Sequence, residues 1–318
     1  MNHRDLKLAD GCVWQISARD DRAGQMVRAL GEIMQLRADS ASRERNTQHL
    51  VLASSDQPRA LMDALPRAVR AVRCGAPALC AVELTNANDY LRFAQAMQLS
   101  TLFGAHAQTR GGALIHGALA ARPTMSFRPT MSFRAKREIS TSARGISRFA
   151  LNDIDTDGIL LTAPGGTGKT TASNRLPAPW VSLCDDTTLI MRDANGAYWA
   201  HPMPTWSRFF QNGKGGNWNV QQAVRLRAIF FLEQAEMDRA APLGAGHAAA
   251  ALVQSIAQAS HLMTRGIDDT FARALRSEWF GVASLLTRHI PSFHLQLTLT
   301  GEFWKEIERC LNRQACDG

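Results

Sequence analysis

No apolar run in this chain approaches the roughly 20 residues that a membrane-spanning helix needs. Met1-Asn2-His3-Arg4-Asp5 opens no secretory signal. The six cysteines (Cys12, Cys74, Cys80, Cys184, Cys310, Cys316) form no close Cys-x-x-Cys pair and no zinc-like set with histidines. A reduced, cytoplasmic protein is therefore expected. A broad basic face is missing as well, despite a net charge of +8. Residues 122–148 hold seven basic side chains (Arg122, Arg128, Arg134, Lys136, Arg137, Arg144 and Arg148) against one acid, Glu138, so this short piece supplies six of the eight excess charges. The remainder is nearly neutral, which argues against nucleic acid as a partner. The apolar fraction of 45% over 318 residues excludes wholesale disorder and leaves core enough for one large or two ordinary domains.

What the chain does have is one stretch of concentrated chemistry, Gly158-Ile159-Leu160-Leu161-Thr162-Ala163-Pro164-Gly165-Gly166-Thr167-Gly168-Lys169-Thr170-Thr171. An apolar strand enters a glycine-rich turn and leaves through Lys-Thr into a helix, the plan of a P-loop. The glycines let successive N–H groups turn toward a phosphate where side chains would collide. The helix start adds dipole and unpaired donors. Lys169 is placed to reach terminal phosphates, and the Thr170 hydroxyl to ligate the accompanying Mg²⁺. The first position of the pattern is Ala163 instead of glycine, a mild departure. An ordinary glycine-rich turn is the simpler alternative, but strand, Gly-Lys-Thr and helix start all stand in order. ATP with Mg²⁺ is the expected ligand, on Gly165, Gly166, Thr167, Gly168, Lys169, Thr170 and Thr171.

The basic piece upstream is unlike the rest. Arg122-Pro-Thr-Met-Ser-Phe127 is followed at once by its copy, Arg128-Pro-Thr-Met-Ser-Phe133. No helical or strand period runs through 122–150, and the segment resembles the translated form of dispersed intergenic repeats of bacterial genomes. A basic arm for an acidic partner is one reading; a tolerated surface insertion is favoured, since closure entropy grows slowly with loop length. Just beyond it, Asp153-Ile154-Asp155-Thr156-Asp157-Gly158 imitates the start of a calcium loop. The twelfth position, which needs an acid, falls on Pro164, and calcium is rejected.

Residues 1–108 read as a small α/β region without a catalytic motif. Strands are expected over 11–17, 48–53 and 80–84, and helices over 23–36 and 89–99, the latter capped by Asn88. A short strand over 112–116 ends at Gly117. After the loop come a helix over 171–176 and a strand over 180–183 that ends in Cys184-Asp185-Asp186-Thr187. A hairpin follows around Asp193-Ala194-Asn195-Gly196, then a strand over 228–232. Helices over 246–263 and 269–289, a strand over 293–300 and a helix from 302 complete the α/β pattern.

Asp185 and Asp186 follow Lys169 by one short helix and one strand. Adjacent acids at the end of a buried strand suit phosphoryl transfer, where one serves the metal and one takes a hydroxyl proton; Asp-Asp-Thr is equally good turn chemistry. The combination of loop, short helix and strand ending in Asp-Asp resembles the HPr kinase/phosphorylase fold, related to phosphoenolpyruvate carboxykinases. Within it, Leu176-Pro177-Ala178-Pro179-Trp180, Leu183-Cys184-Asp185-Asp186, His201-Pro202-Met203-Pro204-Thr205-Trp206-Ser207 and Ala228 to Gln234 are similar to the SynChlorMet cassette protein ScmC family. The likeness covers about residue 110 to the C-terminus, without the insertion.

This resemblance implies a P-loop, HPr kinase-like domain over 109–318, interrupted at about 122–150 within a hairpin of core strands. It implies that Asp185 acts as general base, that Asp186 joins Thr170 on the metal, and that His116 tunes the carboxylates. It also implies an ATP-dependent kinase for a Ser or Thr hydroxyl, with a peptide or small carrier protein and the cassette's radical-SAM enzymes as partners, and possible homo-oligomers. HPr itself is a poor acceptor, since its C-terminal signature is missing here. Arg175 and Gly213-Lys214-Gly215-Gly216 are further candidates for contact with nucleotide or acceptor. A non-catalytic nucleotide-binding scaffold of the same cassette is the alternative. A carboxykinase lacks its His and Lys metal pattern here.

Overall fold

The computed structural model describes residues 3–38, 46–83, 88–123, 156–212 and 216–316. The tandem repeat from Thr124 on, the rest of the 122–150 segment, Asp153 to Asp155 and Gly213 to Gly215 lie outside them. The fold is mixed α/β, built on two sheets.

The first sheet gathers β1 (His3–Lys7), β2 (Val13–Ala18), β3 (Arg37–Ala38), β4 (Thr47–Ser55) and β5 (Ala78–Glu83) in the order β3-β1-β2-β4-β5. β1 and β2 form a hairpin, and β2, β4 and β5 run parallel, linked through α1 (Asp21–Ile33) and α2 (Ala60–Arg73). The Asp20 side chain caps α1 by accepting from Ala23 N–H. The expected 23–36 helix thus starts two residues earlier and ends before Leu36.

Next, α3 (Asp89–Gln108) is capped by the expected Asn88, which accepts from Leu91 N–H. From Leu99 to Gln108 every residue is buried. A helix so buried has neighbours all round it, and α3 packs on α1 and α2 of the first layer and on strands of the second sheet.

That second sheet contains β6 (Ala113–Pro123), β7 (Thr156–Thr162), β8 (Val181–Cys184), β9 (Thr187–Arg192), β10 (Tyr198–Pro202), β11 (Val224–Gln234), β12 (Arg239–Pro242) and β13 (Ser292–Leu297). Its main path is β10-β9-β6-β7-β11-β13-β12, with β8 paired to β6. β7, β11 and β13 run parallel. β6 is antiparallel to β7 from Gly117↔Thr162 to Pro123↔Thr156, so the 124–155 segment joins two directly paired strands. β6 does not stop at Gly117 as expected. A Cβ there would sit 2.9 Å from Leu160 Cδ1 and 3.1 Å from Leu161 O, so the glycine allows close approach of two strands instead of ending one.

Both faces of this sheet are covered. Leu119, Ala121 and Leu160 join a core that extends to the first sheet, α6 (Ala245–Ala259) and α7 (Asp269–His289). The alternate residues Ala118, Ala120, Ile159 and Leu161 pack with residues of α4 (Lys169–Arg175) and α8 (Trp304–Cys316). A short α5 (Trp206–Asn212) follows β10, and a 3₁₀ turn at His261–Met263 follows α6. Among the described residues no helix is long and apolar enough to cross a membrane.

Candidate functional site

β7 delivers the glycine turn to the end of three parallel strands, where open α/β sheets place their ligands. Pro164, Gly165 and Gly166 are exposed. Gly166 and Gly168 hold φ of +81° and +101°, and a Cβ on either would meet nothing within 4 Å. Their requirement is conformational, not steric. Thr167 Oγ1 donates to Pro164 O (3.0 Å), and Gln234 Nε2 at the end of β11 donates to Thr167 O (3.2 Å).

Lys169 opens α4 and is buried, its ammonium donating to Ala163 O at 3.0 Å and Pro164 O at 3.1 Å. Burial lowers its pKa and the Asp186 carboxylate opposes the shift. Thr170 is half-buried and Thr171 exposed.

The two aspartates sit between β8 and β9 in unlike surroundings. Asp185 is 3% exposed; its Oδ1 accepts from Thr205 Oγ1 at 2.6 Å and its Oδ2 from Ser207 Oγ. Asp186 turns the other way. β6 and β9 pair His116 with Thr187, and Gly117 N–H donates to Asp186 O (2.7 Å), which brings His116 Nδ1 to 3.3 Å from Asp186 Oδ1. Burial pushes Asp186 up to about 6, with Lys169 pulling down and Asp185 pushing up. Burial, then the Lys169 charge, pushes His116 down to about 4, so the imidazole is neutral at physiological pH. Its Nε2 is buried without a hydrogen-bond partner among the described residues. Thr162 Oγ1 ties the two strands together by donating to His116 O (3.0 Å), and lies 2.7 Å from Ser255 Oγ of α6.

His116 and Asp186 also line a cleft of about 960 Å³, with Leu114 and Thr187 beside them and the other residues drawn from α2 and the residue before it, α3, the β10–α5 junction, the end of α6 and the segment after it. No residue of 163–171 lines it. The dyad therefore lines the cleft and also feels the charge of Lys169 from the glycine turn.

Arg175 is occupied elsewhere. It donates to Thr298 O and Gly301 O and lies over the Phe303 ring, fastening α4 to the segment before α8. Thr205, Ser207, Gln234 and Ser255 were not singled out by sequence reasoning. Thr205, Ser207 and Gln234 lie in segments that carry the family resemblance, the signal by which they could be found; Ser255 has none. Among the described residues no cluster of three or more His, Cys, Asp or Glu side chains forms a metal cage.

The family model for SynChlorMet cassette protein ScmC matches residues 142–312, more than half of the 318-residue chain. The match takes in the glycine turn, the aspartate pair and Thr205 to Ser207, and begins after His116. No curated protein matches the chain.

Proposed function

We propose, from the premise that this chain belongs to the SynChlorMet cassette protein ScmC family, that it is an ATP-dependent phosphotransferase with an HPr kinase-like P-loop fold. Its acceptor is a Ser or Thr hydroxyl on a peptide or small carrier protein of a radical-SAM peptide-modification cassette. The observation that carries this reading is Asp186, a carboxylate poised near pH 6 that lines a cleft and feels the charge of the glycine turn's lysine. A general base works best with its pKa near the working pH.

The roles of the two aspartates follow from their partners. Both oxygens of Asp185 are engaged by hydroxyls, which suits it to hold the Thr205–Ser207 segment. Asp186 is the partly accessible one, so the base is assigned to it and not, as the resemblance implied, to Asp185. The acceptor O–H gives its proton to the Asp186 carboxylate while its oxygen bonds to the γ-phosphorus. The bond from that phosphorus to the β,γ-bridging oxygen breaks, and ADP leaves with the electron pair. Neutral His116 holds Asp186 in place from 3.3 Å. Lys169 exchanges its two carbonyl partners for phosphate oxygens, an exchange made easier because the carbonyls are neutral.

Mg²⁺ fits the donors present. The Thr170 hydroxyl is a hard oxygen ligand, and this ion usually keeps several waters and binds substrate phosphates beside its protein ligands, which leaves Asp186 free for the proton. When bound, it supplies charge neutralisation on the phosphates.

The test is calorimetric titration of Mg·ATP into the protein beside Lys169→Ala. Saturable binding that the substitution abolishes is the expected result; absence of binding by the folded protein overturns the reading. Tight binding without transfer to any hydroxyl would leave a nucleotide-binding accessory protein of the same cassette.

A further inference from the structure

The amino-terminal region carries no catalytic motif, yet it builds one wall of the cleft that ends on Asp186. Arg59, Met62 and Asp63 come from α2 and the residue before it, and Met97 from α3; Trp206, Leu262 and Arg265 complete the lining. At about 960 Å³ the cleft stands at the top of the range of roughly 300–1,000 Å³ for small-molecule sites. It has room for several residues of a peptide, not only for the hydroxyl that reaches Asp186.

Its chemistry is uneven in a useful way. Met62, Met97, Leu262 and Trp206 are half-buried and give an apolar lining, with two methionines able to adapt their shape to a side chain. Arg59 and Arg265 are exposed, and neither guanidinium has a carboxylate partner among the described residues. Two acids line the cleft, Asp63 one turn beyond Arg59 and Asp186 at its inner end, so the exposed guanidiniums of Arg59 and Arg265 are the cations there for an incoming carboxylate.

Arg59 is also out of place as a purely structural residue. It takes φ of +63° and offers no side-chain cap to α2. A position with positive φ is filled at least cost by glycine or asparagine. Keeping an arginine there holds a long cation at the edge of the cleft against a backbone penalty, and backbone strain of this kind gathers at functional sites.

We propose that this cleft is the acceptor site, and that its occupant is a peptide segment whose hydroxyl residue is flanked by a bulky apolar residue and by Asp or Glu. The apolar neighbour takes the methionine-lined wall and the carboxylate takes Arg59 and Arg265. The word acceptor rests on the phosphotransferase reading above; the binding does not. On this account the amino-terminal region is the part that chooses the peptide, while the matched family region supplies the loop and the carboxylates.

The test is fluorescence anisotropy with three fluorescein-labelled peptides, each with a central serine. One has leucine and glutamate flanks, one leucine and lysine, one glycine and glutamate. The full chain is compared with its Arg59→Gly/Arg265→Ala form, in which glycine suits the positive φ and the fold is kept. The leucine–glutamate peptide is expected to bind tightest. Lysine for glutamate should weaken binding about fivefold, as two exposed ion pairs would. Glycine for leucine should weaken it roughly tenfold or more, through lost apolar burial.

In the double variant the glutamate preference disappears and the leucine preference stays. Equal affinity for the glutamate and lysine peptides, a preference that survives in the variant, or binding of none of the three overturns the proposal. Transfer of labelled γ-phosphate is followed in the same samples. A peptide that binds with the expected preference but is never phosphorylated overturns the phosphotransferase reading and leaves the cleft assignment standing.

Discussion

Among the described residues, two histidine–aspartate pairs approach within 3.5 Å, at 3.0 Å for His106 and Asp10 and 3.3 Å for His116 and Asp186. They behave in opposite ways. Asp10, in the β1–β2 turn, is 2% exposed at its side chain. Burial works against its charge, but His106, the Cys12 N–H and Arg110 together outweigh burial and hold its pKa below the usual carboxylate value. Asp186 has no such set of donors. Burial dominates there, and the carboxyl rises to about 6. Residue types are the same and distances similar in the two pairs; the number of donors around the carboxylate decides whether its pKa falls or rises.

The sharpest way to break this comparison is to remove each carboxylate's charge in turn. Asp186→Asn should lower phosphoryl transfer by about 10²–10⁴-fold, the usual share of a general base, with Mg·ATP affinity kept in calorimetry. Transfer that is undiminished would show that the base lies elsewhere. Asp10→Asn should leave transfer chemistry alone and instead cost about 3 kcal/mol of stability in urea unfolding, because His106 and Arg110 lose a buried partner.

A smaller effect is expected at Asp185. Ser207→Ala removes one of its two hydroxyl donors and should cost about 1.5 kcal/mol, the value of a hydrogen bond to a charged group. No change in the urea midpoint would mean that Thr205 alone holds the carboxylate.

The smallest effect carries the clearest sign. The folded pKa of Asp186 is raised, so its neutral form is the favoured one. Its contribution to stability is complete below the ordinary value of 3.8 and is lost as pH rises through about 6. Asp186→Asn should therefore match the native protein near pH 3.8 and exceed it by about 1 kcal/mol at pH 7, a figure discounted because the side chain is 34% exposed. For Asp10, whose pKa is lowered, the sign reverses: stability is present above the ordinary value and lost as pH falls. Two carboxylates with the same pH trend would remove the distinction between the pairs.

How much of this was legible in the sequence differs between local and distant features. The glycine turn, the hairpin around Asn195-Gly196 and the Asn88 cap depend on neighbours within a few residues, and each was readable. Helix α2 was not. It contains Pro66 and begins after Arg59 with no capping side chain, so Asp63 in the first turn is a lone start signal. β1 (His3–Lys7) was missed because four of its five residues are polar or charged and only pairing with β2 makes it a strand. The contact of His116 with Asp186 depends on the β6–β9 register across some seventy residues of chain, and was foreseen through family resemblance alone. Nothing in the sequence tied Arg59 or Met97 to the aspartates, since the cleft exists only once α2 and α3 pack beside the second sheet.

The ladder from Gly117↔Thr162 to Pro123↔Thr156 has a consequence for how this protein can be handled. β6 lies among β7, β8 and β9, all of which come later in the chain. Cut between Pro123 and Thr156, the chain would yield two fragments whose recognition of each other is already written into a central strand with partners on both edges. Expressed separately, residues 1–123 and 156–318 become a split protein. Its reassembly would place His116 from one fragment against Asp186 from the other, so that recovered activity reports directly on fragment association.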